Sequence, residues 1–263
     1  MSSLTASRNP VDRRFRKSRD PVPAPDSPVG YDLALEARKA RRHLRLPTLF
    51  YVPLSLGALA TALATPGARL AGLAFYALGL ALWPPVEHAA HRYVLHGAFP
   101  DGPGRWRRLL HRLFDDLHWE HHAHPWDGDR LGGSLMQTLP FATLLVLLAL
   151  AVAPWYTLAL TVAALMLGFI AEEWMHYALH LHPLPGGYYR RLRRHHAFHH
   201  SLVGAELAWG VSSPLWDRLL GTGGPPSGRP PNQREHPDVA GPRQGILEEA
   251  STICRADGRE FLK

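Results

Sequence analysis

The sequence predicts an all-α membrane protein: four transmembrane helices in two hairpins, with a helical cap on the cytosolic side. Three observations predict it. The middle of the chain holds four apolar runs of membrane-spanning length, its basic residues fall almost wholly to one side of those runs, and four histidine clusters fall on that same side.

A length of 263 residues allows one domain with tails. Mean hydropathy lies just below zero, as in a soluble protein, because polar ends dilute an apolar middle. Residues 1–30 are rich in Pro, Ser and Arg and read as a disordered basic arm. Residues 31–45 (YDLALEARKARRHLR) predict a short amphipathic helix at the membrane surface, with a solvated helix as the alternative. The expected organisation is therefore an arm over 1–45, a membrane domain over 46–222 and a disordered Gly/Pro-rich tail over 223–263. No early apolar segment of the secretory kind is present.

Within the membrane domain the expected spans are 46–65, 68–86, 134–153 and 155–171, each 17 to 20 residues long. That is near the length that crosses a hydrocarbon core of about 30 Å. The first pair turns at Thr65-Pro66-Gly67 and the second at Ala153-Pro154, both short enough for helical hairpins. Arg69 is the one charged residue in 46–86, and 131–171 carries none. A buried hairpin in a soluble protein is the alternative, and four runs in two pairs argue against it.

Orientation follows from charge. Eleven Lys and Arg precede the first hairpin, six lie in 87–130 and eleven follow residue 171. So 28 of 29 sit on one side, and Arg69 alone on the other. Basic loops stay in the cytoplasm, which places both termini and the central loop there. Arg outnumbers Lys 26 to 3, a usage that fits a GC-rich bacterial genome and an inner membrane. Topology accounts for the net charge of +7, so nucleic acid is not an expected partner.

Histidine is the unusual component: 17 residues, ten of them in four clusters. These are His91 and His96 (HRYVLH), His118, His121 and His122 (HWEHH), His176 and His180 (HYALH), and His196, His199 and His200 (HAFHH). Residues three and four apart share a helix face, so each of the last three clusters can aim two or three imidazoles together. His91 and His96, five apart, diverge on a regular helix, and one of them is expected where the helix ends near Gly97. Neutral imidazole is the commonest protein metal ligand. Ten nitrogens exceed one tetrahedral site and are enough for two metals, so the cap is expected to carry a His-rich di-metal site. A single cysteine, Cys254, excludes a disulfide framework and a thiolate site. His88, His111, His124, His182 and His195 read as secondary or interfacial, and His43 and His236 receive no role.

Other metal chemistries fit less well. HExxH zinc proteases need Glu after the first His, where Tyr177 stands. Ferritin-like bundles need two Glu-x-x-His pairs, and only Glu173 with His176 qualifies. A metal transporter or sensor remains the non-enzymatic alternative, but transporters place ligands near the midplane of the spans.

The ordered set HxxxxH, HxxHH, HxxxH, HxxHH over about 83–222 resembles the fatty acid hydroxylase superfamily, which includes sterol desaturases and carotenoid hydroxylases. HRYVLHG, HWEHHAHPWDGDRL, HYALHLHPLPGGYYRRLRRHHAFHH and GVSSPLWDRLLGT are similar to successive segments of its fatty acid 2-hydroxylase-like branch. The resemblance implies O2-dependent hydroxylation of a lipid C–H bond, an acyl chain being favoured. A sterol or carotenoid hydroxylase or desaturase with the same centre is the alternative. It implies two iron ions held by the ten histidines, with zinc possible in purified protein. It also implies a separate electron donor of cytochrome b5-like or ferredoxin-like type, because no fused cytochrome domain precedes the first hairpin. Ligating histidines commonly donate their second N–H to a carboxylate. Glu173, Asp127 and Asp217 are the expected second-layer acids, and Glu87 and Glu172 weaker ones. Trp83, Trp106, Trp119, Trp126, Trp155, Trp174 and Tyr177 read as an interfacial belt. Arg105, Arg107, Arg108, Arg112, Arg190, Arg191, Arg193 and Arg194 read chiefly as positive-inside charge, with lipid head groups as possible neighbours.

Overall fold

The computed structural model describes residues 30–224, apart from 97, 98, 100, 101, 183 and 202. The expectations for 1–29 and 225–263, His236 among them, lie outside the described residues. Those residues form helices and turns and no strand. The helices are α1 (Leu33–Ala64), α2 (Arg69–Ala90), α3 (Arg105–Leu110), α4 (Leu117–Ala123), α5 (Leu135–Val152), α6 (Leu158–Leu181), α7 (Gly187–His199) and α8 (Leu215–Leu220).

The helix α1 begins at Asp32, whose carboxylate accepts from the Ala34 and Leu35 N–H groups at 3.0 and 3.1 Å. It then runs unbroken for 32 residues through Pro47 and Pro53. The surface helix expected over 31–45 and the span expected over 46–65 are thus one element. The reason is tertiary: Ala37, Ala40 and Leu44 are buried against Leu131, Tyr177, Ala178 and Leu181. Local charge marks this stretch as surface, while its inward stripe packs as core.

Four of the helices are long and apolar enough to cross a membrane: α1, α2 with the turn that follows it, α5 and α6. The chain is a multi-pass membrane protein. Its α6 is the central element, with α1, α2 and α5 packed around it. It also runs past its expected span, ending at Leu181 rather than 171. Glu172 and Glu173 close the apolar run in sequence, yet both are buried, and Glu173 accepts the Gly133 N–H at 2.8 Å.

Without water, helices in a bilayer associate through close packing and hydrogen bonds. A Cβ at Gly79 would run into the Thr161 carbonyl and Ala164, and one at Gly168 would run into Trp83. Glycine at these two positions lets α2 and α6 touch. Ser55 and Tyr76 share a buried hydrogen bond of 2.9 Å, and Tyr51 and Thr138 another of 2.9 Å. On α5, Leu144, Leu147 and Leu148 remain exposed, the face a lipid would cover.

Candidate metal centre

Four elements bring the ten clustered histidines together. A π turn over His91–Leu95 continues α2 and ends with His96 at its cap. A π turn closes its hydrogen bonds from i to i+5, so residues five apart return to one side. This is how His91 and His96 come together, with ring centroids 5.2 Å apart, where a regular helix would separate them. His118, His121 and His122 lie on α4, which follows α3 through a second π turn at His111–Asp116. His176 and His180 are inside α6, and His196 and His199 lie on α7 with His200 at its cap.

The ten divide into two groups of five. Group one is His91, His96, His118, His122 and His199; group two is His121, His176, His180, His196 and His200. Within each group one ring nitrogen per residue lies within 4.8 Å of every other. The two HxxHH clusters do not each serve one site. Each sends its first and last histidine to one group and its middle histidine to the other. Stacking of His122 on His200, with centroids 4.3 Å apart, joins the two groups.

In group one, His118 Nε2 lies 3.2, 2.9 and 3.2 Å from Nε2 of His91, His96 and His122. In group two, His176 Nε2 is 3.0 Å from that of His121, and His180 Nε2 is 2.8 Å from that of His196. Two ligands at right angles, each about 2.1 Å from one ion, sit about 3 Å apart. Burial first, and then the crowding of neighbouring imidazoles, pushes His96, His118, His121, His122 and His196 well below their ordinary pKa. Burial does the same to His199 and His200. These rings are therefore neutral at pH 7, and each carries a lone pair. In His91 and His199 the Nδ1–H donates to the carbonyls of Trp209 and Leu207, the latter at 2.7 Å, which leaves Nε2 as the lone-pair atom. The His199 Nε2 is buried with no protein partner. Such converging lone pairs repel one another unless a cation sits among them. An all-imidazole donor set suits iron or zinc alike.

None of the three expected acids accepts an N–H directly from one of the ten clustered histidines. Asp127 is taken up by Arg130 at 2.9 Å and the Asp129 N–H at 3.0 Å. Glu173 holds Gly133. Asp217 is fully buried and accepts from Trp209 N, Gly210 N, Thr222 Oγ1 and His195 Nε2 at 3.0, 2.8, 2.8 and 2.9 Å. Burial pushes its pKa up, but these hydrogen bonds prevail and hold it at about 2. Asp217 thus grips the segment whose carbonyls orient His91 and His199.

The remaining histidines among the described residues find ordinary partners. His195 donates to Asp217, His88 lies 3.1 Å from Thr222 Oγ1, His124 meets Tyr31, His43 meets Asp129, His111 meets the Phe99 carbonyl, and His182 stacks on Tyr177. Tyr177 departs from the interfacial reading: it is buried and accepts from Arg41 at 2.6 Å. Trp119 and Trp126 also turn inward, packing on His96 and His180 at 5.2 and 5.9 Å. Sequence reasoning missed Trp209, which is 2 % exposed and packs on His91, His96 and His199 at 5.6, 4.7 and 5.3 Å. It stands immediately before the closing segment GVSSPLWDRLLGT (210–222), and nothing periodic marks it.

The fold and the site define a membrane-embedded helical bundle whose helix ends carry two five-imidazole clusters. A family model described as fatty acid hydroxylase matches residues 76–222, which include all ten clustered histidines. The chain belongs to the fatty acid hydroxylase family.

Relatives agree. The fatty acid 2-hydroxylase of Macaca fascicularis is 32% identical over 167 residues, covering 61% of this chain and 42% of that protein. The ceramide very long chain fatty acid hydroxylase of Schizosaccharomyces pombe is 31% identical over 155 residues, covering 58% and 43%. A dihydroceramide fatty acyl 2-hydroxylase of Arabidopsis thaliana is 30% identical over 151 residues, covering 56% and 59%. The chain therefore spans about two fifths of the first two relatives and rather more of the third. The solved structure of full-length scs7p, in which only the hydroxylase domain is visible, shares the fold with a TM-score of 0.61 at 23% identity, covering 70% of this chain and 67% of that one.

Proposed function

We propose that this chain hydroxylates a C–H bond in the acyl chain of a membrane lipid, using O2 and two metal ions, iron in the working enzyme. The observation that carries this is the division of the ten histidines into two five-nitrogen groups, in a chain whose relatives are named as fatty acid and ceramide hydroxylases. Each group holds one ion. Bound there, the metals supply O2 activation and oxidation of the C–H bond. The protein supplies position, electrostatics and exclusion of water.

The residues divide that work. The ten imidazoles are neutral donors, so they stabilise the ions without cancelling their charge. Trp119, Trp126 and Trp209 pack against ligand rings and limit rotation and water entry. The apolar faces of α1, α2, α5 and α6 hold the acyl chain in lipid, so that one carbon is presented at the end of the bundle. The one-sided charge supports a cytoplasmic position for that end, where a separate donor of cytochrome b5-like or ferredoxin-like type would deliver electrons. Transport is disfavoured, because the histidines lie at the ends of the spans rather than at the midplane.

Lipid mass spectrometry of expressing against non-expressing cells tests this reading. The expected product is an acyl species with one added oxygen atom. His121→Ala, His180→Ala and His199→Ala should each abolish that species while the protein still inserts. Full product formation in all three variants would remove the metal assignment. An oxidised sterol or carotenoid in place of the acyl product would redirect the substrate assignment.

A further inference from the structure

The segment Leu207–Ser212 touches group one and is held by two buried carboxylates from different parts of the chain. Four consecutive backbone N–H groups are taken up in pairs. Trp209 and Gly210 donate to Asp217 at 3.0 and 2.8 Å. Val211 and Ser212 donate to Glu87, Ser212 at 2.8 Å, and the Ser212 hydroxyl donates to Glu87 as well. Glu87 lies on α2 one turn before His91 and is 5 % exposed. From the other side, Tyr188 OH donates to the Ser212 carbonyl at 2.8 Å, and Ala208 N–H donates to the Thr222 carbonyl at 2.8 Å.

The backbone at Ala208 has φ +59°, the one non-glycine residue with positive φ among those described. A residue persists there only where its surroundings over-determine it. The outcome of all these bonds is the placement of two carbonyls. Leu207 O receives Nδ1–H of His199, and Trp209 O receives Nδ1–H of His91. A carbonyl can only accept, so each bond fixes the tautomer and the ring plane of a group-one histidine.

Group two lacks this support. Among the described residues no group-two ring donates Nδ1–H to a backbone carbonyl: His121, His196 and His200 leave Nδ1 buried without a protein partner, as His96 and His122 do in group one, where His91 and His199 are held. The two groups have equal numbers of imidazoles but unequal second layers.

We infer that Glu87 and Asp217 are positioning residues for the group-one metal alone, acting through the Leu207 and Trp209 carbonyls, so that the two metal positions are inequivalent. This rests on the two-metal reading above. Outer partners of ligating histidines typically change metal affinity by about 10–100-fold, and the effect here should fall on one ion of the two.

The test uses the full chain in detergent, stripped and reloaded with zinc(II). Metal per chain is counted by elemental mass spectrometry, and affinity is measured by chelator competition. The wild-type chain should hold two ions. Asp217→Asn places an amide N–H against a backbone donor, because Trp209 and Gly210 use different carboxylate oxygens, and Glu87→Ala removes the acceptor of the Val211 and Ser212 N–H groups. Each should weaken one site about 10–100-fold and leave the other unchanged. Combined with His91→Ala, Asp217→Asn should add nothing at the surviving site. Combined with His180→Ala, it should weaken the remaining ion as well.

Two tight ions in Asp217→Asn, equal weakening of both sites, or the reverse pattern in the double variants would overturn the proposal. Should Asp217→Asn aggregate, Thr222→Val removes only one donor to Asp217 and should weaken the same single site by a smaller factor. No weakening in that variant overturns the proposal too. Fewer than two ions in the wild-type chain would defeat the two-metal reading itself, and this inference with it.

Discussion

Asp217 shows how one residue can matter without touching a ligand. It is fully buried, accepts four hydrogen bonds and has a pKa of about 2, against an ordinary value of 3.8. A carboxylate depressed in the folded state stabilises the fold above its unfolded value and loses that contribution as pH falls through its folded one. For Asp217 the window runs from about pH 4 down to about pH 2. The shift corresponds to roughly 2 kcal/mol at neutral pH. In metal-free protein, Asp217→Asn should therefore lower stability by about that amount at pH 7, and the gap to wild type should narrow as pH approaches 2. Thermal midpoints measured against pH check this, and a gap independent of pH would contradict it. Asp217 stood among the expected second-layer acids, but its route to the site was not legible. Its partners are backbone groups seven and eight residues away and a histidine 22 residues away, which no local pattern encodes.

Among the elements, α1 departs most from its local sequence. Its first turns carry Glu36, Lys39, Arg41 and His43, which read as surface. In the fold Glu36, Lys39 and His43 fasten the loop that follows the second histidine cluster, and Arg41 donates to Tyr177 on α6. Glu36 accepts the Gly128 N–H at 2.9 Å, His43 and Lys39 reach Asp129 at 3.0 and 3.5 Å, and Tyr31 meets His124 at 3.3 Å. The contact is close enough that a Cβ at Gly128 would overlap the Glu36 carbonyl. Gly128→Ala should thus force α1 from the loop and cost about 1–3 kcal/mol, as overpacking does. A denaturation midpoint in detergent measures this, and an unchanged midpoint would show that the loop gives way freely. The π turn after α2 carries a similar lesson. The five-residue spacing of His91 and His96 argued for divergence on a regular helix. An inserted π turn reverses that, because it adds the residue needed to return the second ring to the first.

At the scale of the whole molecule, charge and apolar length set the topology. With 28 of 29 basic residues on one side, the histidine end should face the cytoplasm. The single cysteine makes this testable without mutation. An impermeant thiol reagent should label Cys254 in inside-out vesicles and spare it in intact cells, and the opposite result would invert the orientation. The sequence by itself determined the all-helical membrane class, the four apolar runs, the ten clustered histidines and the family. These depend on composition, run length and spacing, which are local and additive. Tertiary structure alone decided that α1 is continuous, that α6 carries His176 and His180 inside it, and that each HxxHH cluster straddles both groups. It also decided that Glu87 and Asp217 meet at Leu207–Ser212. Those outcomes depend on which side chains are buried together across long sequence separations, and burial of that kind is a property of the packed bundle rather than of any segment in it.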